Sequence, residues 1–210
     1  MSREQKPYLV TGHPRSGTAY VAKLLQAGGL DIRHEQNDGK DGICSWMFAA
    51  DTYWVPFFHG GGKGRKYFAF DKTLQVVRDP LALAASVAFT ENSNAMSLAY
   101  RAIFTPLSFG RDTVRVAVES IIGWHDFIAE TLQPAATIRV EHAADDLLTC
   151  VEGWRKSAKN EMPPKNINAR PHQPITWGEI ETRAGAVLAA RYRTLAQDWG
   201  YRAENKEKTA

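Results

Sequence analysis

The chain has 210 residues, of which 44% are hydrophobic and 23% charged. At ~150 residues per domain this is one domain that buries roughly 70% of its unfolded surface without disulfide or metal staples. Its composition excludes collagen, coiled coil and wholesale disorder. Lys+Arg 26 against Asp+Glu 23 leaves a net charge of +3, too small to predict a nucleic acid as partner but suited to a compact, multiply charged anion.

Cys44 and Cys150 have neither zinc-like spacing nor the look of a secreted framework, so both are expected to be reduced and buried. The polar start lacks the apolar core of a signal peptide. No run approaches the ~18 apolar residues of a membrane span. The expectation is a soluble, cytoplasmic protein with no membrane partner.

Residues 8–11 form an apolar run ending at Gly12, which predicts a buried first strand. Residues 18–26 have a helical stripe of Val21, Leu24 and Leu25, stopped by Gly28 and Gly29. Residues 30–33 read as a second strand, and the aromatic-rich residues 42–54 as helical. Residues 73–77 predict a third strand, followed by an N-cap at Asp79, Pro80 at the first helical position, and a helix to about Phe89. A long apolar period over 112–132 predicts a helix capped by Asp112. Residues 137–140 read as a fourth strand, 143–157 as a helix and the proline-rich 159–174 as a loop. Thr176 and Glu179 form a capping box that opens a last helix, closed by Gly200. Residues 1–202 thus read as one domain and 203–210 as a polar tail. Strands alternating with helices predict an α/β fold, a parallel sheet of about four to five strands covered on both faces. Ligands of such sheets bind at the carboxyl ends of the strands.

Two motifs fall at those ends. Gly12-His13-Pro14-Arg15-Ser16-Gly17-Thr18 joins the first strand to the first helix. Its glycines let the backbone curl, and the N–H groups of Ser16, Gly17 and Thr18 at a helix N-terminus form an anion-binding nest. Two hydroxyls and the Arg15 fork add donors. The spacing nearly matches the phosphate-binding G-x-x-x-x-G-K-[ST] pattern, but Thr18 stands in the lysine position and Ala19 in that of the magnesium-holding hydroxyl. The loop therefore suits a phosphate group without metal. Arg78, just past the third strand, and Ser86, eight residues on, read as a second anion subsite. His34 and Glu35, at the end of the second strand, are candidates for a general base.

The combination of P-R-S-G-T after the first strand with R-D-P and a serine eight residues past its arginine resembles the sulfotransferases that use 3′-phosphoadenosine 5′-phosphosulfate. The resemblance covers about residues 8–35 and 71–90 and is closest to the bacterial, carbohydrate and tyrosyl-protein branches. It implies a P-loop-type three-layer sandwich. It also implies a 5′-phosphosulfate held by Arg15, Ser16, Gly17 and Thr18, and a 3′-phosphate held by Arg78 and Ser86. It favours Glu35 over His34 as base, makes Arg15 the stabiliser of leaving-group charge, and suggests Asn168, Arg170 and His172 as a late cofactor loop. The implied reaction is metal-independent sulfuryl transfer to a hydroxyl or amine of a small-molecule, carbohydrate or peptide acceptor. A degenerate kinase using Mg-ATP, with Asp79 on the metal, and a non-catalytic nucleotide-binding or assembly module are the alternative readings.

Overall fold

The computed structural model describes residues 2–51, 63–155, 163–164, 167 and 169–202. In chain order the elements are β1 (Glu4–Gly12), α1 (Thr18–Ala27), β2 (Ile32–His34), β3 (Gly42–Cys44), β4 (Phe68–Val77), α2 (Pro80–Ser86), α3 (Ala95–Phe104), α4 (Thr113–Leu132), β5 (Ala136–Arg139), α5 (Ala143–Cys150), α6 (Trp177–Ala184) and α7 (Ala186–Asp198). The class is α/β, with one five-stranded, all-parallel sheet of order β2-β3-β1-β4-β5 flanked by helices. The chain divides into two compact units, Met1–Val77 with Ile128–Ala169, and Arg78–Phe127 with Arg170–Ala210.

The first unit holds the sheet. Alternate residues of β1 and β4, namely Tyr8, Val10, Leu74 and Val76, join Ile138 of β5 in a core with Val21, Leu24 and Leu25 of α1 and Leu147 of α5. Leu9, Ile43 and Val77, which alternate with them, are buried as well. A parallel strand buried on both faces reads as an unbroken apolar run, which is why residues 8–11 stand out in the sequence. Trp154 closes this core by donating from Nε1 to the Leu24 carbonyl at 3.0 Å. At the end of β5, Arg139 and Asp146 of α5 form an ion pair at 3.0 Å.

Several sequence expectations change. Residues 42–54 do not open a helix: Gly42–Cys44 is β3, inserted between β1 and β2, and a single 3-10 turn follows at Met47–Ala49. A three-residue apolar stretch carries no period, so only its pairing partners distinguish it from helix. Gly42 permits the insertion, because a Cβ there would lie 2.1 Å from the Tyr8 carbonyl oxygen. β4 starts five residues earlier than the predicted 73–77, and Lys72 is an exposed position within it. The helix after Cys150 does not continue to 157. Cys44 is buried, Cys150 only half-buried, and both are free thiols. Asn168 and the tail lie outside the described residues, as do residues 159–162, 165 and 166 of the predicted loop.

In the second unit, Asp79 caps α2 as predicted, its carboxylate accepting the Ala82 N–H at 2.8 Å. α2 is shorter than expected and passes into a π-helical turn, Val87–Glu91. Beside that turn, the fully buried Arg101 of α3 donates to Ser120 Oγ of α4 at 2.7 Å, Asn92 Oδ1 at 3.2 Å and the Ser97 carbonyl at 3.2 Å. Burial lowers its pKa to about 10, so the hydrogen bonds hold a charged group. α3 has no counterpart in the sequence reading. The predicted last helix is two, since Gly185 at φ 95° and ψ 150° breaks it between α6 and α7. The Thr176–Glu179 capping box is formed in both directions, and Asp112 caps α4 by accepting the Val114 N–H at 2.8 Å. Trp124 is buried, whereas Trp46 and Phe127 are half-buried. His125 is a boundary residue that accepts from Trp199 Nε1 at 3.2 Å. Among the described residues no helix is long and apolar enough to cross a membrane.

Two measurements check this packing. Gly42→Ala should lower unfolding stability by about 3 kcal/mol in urea titration, because backbone rather than a yielding side chain blocks the methyl; a change below 1 kcal/mol would remove β3 from its place. Burial raises the Asp146 carboxyl pKa, but hydrogen bonds from Arg139 outweigh it and hold the group below its usual value. A lowered folded pKa stabilises above the carboxylate range and is lost as pH falls through it. Asp146→Asn should therefore destabilise at pH 7 and make no difference at pH 2.

Candidate functional site

The loop after β1 is built from strained and close-packed backbone. Arg15 has φ 74° and Gly17 φ 98°, and the Ser16 N–H donates to the His13 carbonyl at 3.0 Å. His13 turns its ring back on the loop, donating from Nδ1 to the Pro14 carbonyl at 2.7 Å. Gly12 and Gly17 are both required by their neighbours: a Cβ on Gly12 would meet Val76 O at 2.4 Å and Ser16 Oγ at 2.5 Å, and one on Gly17 would meet Val140 Cγ2 at 2.5 Å. Gly17 is the N-cap of α1 and supplies no side chain to the first-turn N–H groups. The Ser16 residue is 1% exposed, and its hydroxyl has no hydrogen-bond partner. A buried hydroxyl left unmatched costs about 1–3 kcal/mol. It lies beside an N-terminus without a side-chain cap, a setting whose backbone N–H groups can bind an anion.

The predicted base candidates belong to the same edge of the sheet. β2 is not hydrogen-bonded to β1; β3 lies between them. The carboxyl ends are nonetheless level, with Val10 and His34 both in register with Cys44. Thr18 Oγ1 is 3.3 Å from His34 Nε2, and that nitrogen is 3.7 Å from Glu35 Oε1. The other carboxylate oxygen, Oε2, accepts a hydrogen bond from Ser45 Oγ at 3.1 Å. Glu35 is the second non-glycine residue of the site with a left-handed backbone, at φ 55°, and its N–H donates to the Cys44 carbonyl at 2.9 Å. The Cys44 thiol donates to the Thr18 carbonyl at 3.2 Å. Burial pushes its pKa well up, and the adjacent Glu35 charge pushes it further. Cys44 is thus a structural thiol tying α1 to β3.

Ser45 is absent from the sequence reading. Its only signal is its position one residue past β3, and that is visible only once β3 is known to be a strand.

The second motif lies in the other compact unit. Arg78 is half-buried and follows directly on β4, while Ser86, 1% exposed, ends α2. Tyr192 of α7 donates to the Pro80 carbonyl at 2.7 Å, holding the start of α2. Its phenol pKa is pushed well up by burial and by Asp79, with Arg78 opposing. Thr90 Oγ1 donates to the Ser86 carbonyl at 2.6 Å, and Arg170 Nη1 donates to the Thr90 carbonyl at 3.3 Å while standing 3.9 Å from Glu91. Arg170 is therefore attached to the turn that follows Ser86. His172 donates from Nδ1 to the Gln173 carbonyl at 3.0 Å.

The loop makes a paired prediction. Ser16→Ala should leave the unliganded protein as stable or raise stability by up to about 1 kcal/mol, since it deletes an unmatched buried polar atom. Gly17→Ala should cost about 1–3 kcal/mol through its φ and the Val140 contact. Urea titration of both variants decides this, and a destabilising Ser16→Ala would mean that the hydroxyl is already satisfied.

No protein-family model matches the chain, and no curated protein matches it.

Proposed function

We propose that this chain is a sulfotransferase that moves a sulfuryl group from 3′-phosphoadenosine 5′-phosphosulfate to an acceptor hydroxyl or amine, without metal. One observation carries the reading. The anion loop and a carboxylate are joined through a single imidazole, Thr18 to His34 at 3.3 Å and His34 to Glu35 at 3.7 Å. An anionic donor and a proton acceptor are what group transfer to a hydroxyl requires at one strand edge.

Arg15, Ser16, Gly17 and Thr18 would hold the 5′ end of the donor, and Arg78 and Ser86 its 3′-phosphate. The two motifs are paired on their sequence pattern, P-R-S-G-T after one strand and R-D-P with a serine eight residues past its arginine after another. The donor supplies an activated sulfuryl group. In the transfer an acceptor O–S bond forms as the bridging O–S bond of the donor breaks. The acceptor proton goes to Glu35, and the electron pair stays on the departing bisphosphate. His34 lies next to that proton's destination, and Arg15 would offset charge on the leaving oxygen. A Mg-ATP reading gains nothing from Asp79, one of whose oxygens caps α2.

Calorimetry with 3′,5′-bisphosphoadenosine in the presence of EDTA should show binding that Arg78→Ala weakens by about 2 kcal/mol, roughly 30-fold. Equal affinity for adenosine 5′-phosphate would remove the 3′ subsite. Glu35→Gln should cut turnover by about 10²–10⁴ while keeping bisphosphate affinity. Turnover unaffected by that change would remove Glu35 as base.

A further inference from the structure

We propose that Ser45 is a positioning residue for Glu35, orienting the carboxylate by a hydroxyl whose own direction is set by the backbone. The inference rests on the reading of Glu35 as the base, and it concerns a residue that none of the motifs contains.

Ser45 is fully buried, one position past β3. Its N–H donates to the Val10 carbonyl at 2.9 Å, which fixes its main chain to the last turn of β1 pairing. Its Oγ accepts the Met47 N–H at 3.2 Å, a bond created by the 3-10 turn that begins there. A serine hydroxyl has one hydrogen and two lone pairs. With the Met47 N–H occupying the lone-pair side, the hydrogen is directed to Glu35 Oε2, 3.1 Å away.

The same residue is held from its backbone. The Glu35 N–H donates to the Cys44 carbonyl at 2.9 Å, and its φ of 55° is one that a glutamate adopts only when its surroundings impose it. Free glutamate side chains lose substantial rotamer entropy on being fixed. Here one oxygen is held by Ser45 and the other stands 3.7 Å from His34 Nε2. Titratable groups beside Glu35 are His34 on its own strand and Cys44 on β3. The result is a carboxylate whose two oxygens have different tasks: Oε2 is a fixed pivot, and Oε1 faces the imidazole and the anion loop.

Ser45→Ala removes the hydroxyl, and with it both the bond to Glu35 Oε2 and the bond from the Met47 N–H, while the main-chain hydrogen bond to Val10 stays. Turnover should fall about tenfold while affinity for 3′,5′-bisphosphoadenosine stays within about twofold, because misplacing a reacting group lowers kcat and leaves remote binding intact. The ¹³C line of the Glu35 side-chain carboxyl, assigned by its loss in Glu35→Gln, should move in Ser45→Ala at pH 7. Wild-type turnover with an unmoved carboxyl line would overturn the proposal. So would a loss of bisphosphate affinity equal to the loss of turnover. The carboxyl line reports on Ser45 even in a protein that shows no sulfuryl transfer, an outcome that would overturn the functional reading alone.

Discussion

Everything at this site depends on β1 being hydrogen-bonded on both edges in an all-parallel sheet. Parallel strands carry all their carboxyl ends to one side, and every chain segment leaving the sheet there must turn with backbone groups no longer paired in a ladder. The loop after β1, Glu35 after β2 and Ser45 after β3 all leave the sheet on that side. The sheet thereby gathers residues from distant parts of the sequence without any of them having to seek the others.

The strain in the first unit is concentrated at the same edge. Three non-glycine residues among those described have positive φ, and two of them are Arg15 and Glu35. Such a backbone costs of order 1–3 kcal/mol per residue and persists only where the surroundings over-determine it. For Glu35 the surroundings are the Cys44 carbonyl and the Ser45 hydroxyl. For the loop they are the His13 turn and the contacts that forbid a Cβ on Gly12 and Gly17. Near the start of β1 the buried Lys6 donates to the Gly39 carbonyl at 2.6 Å and pairs with Glu4 at 3.0 Å. Ser16 Oγ at the loop, like Ser97 Oγ in α3, is buried without a hydrogen-bond partner.

The second unit shows how a motif acquires supports that its own residues do not announce. Asp79-Pro80 starts α2 by local chemistry alone, a cap and a preset φ. What steadies the start of that helix is Tyr192, more than a hundred residues on, through a hydrogen bond to the Pro80 carbonyl. Ser86 likewise lies one turn from Thr90, whose carbonyl receives Arg170. Arg170, which only the family resemblance suggests, donates to the Thr90 carbonyl and stands beside the Glu91 carboxylate.

By itself the sequence determined what local chemistry controls. The α/β class, the buried run of β1, the caps at Asp79, Asp112 and Thr176, and the turn from β1 into α1 are all legible there, because each rests on residues within one turn or one strand of each other. The tertiary structure alone decided the position of β3, the break at Gly185, the length of α2 and the role of Ser45. A three-residue strand has too few positions to show a period, and its identity is set by the Tyr8 and Ile32 backbones it joins. The hydrogen bond between Ser45 and Glu35 exists because two separate strands end level in a parallel sheet. That is a matter of register between chain segments, which no pattern within either segment encodes.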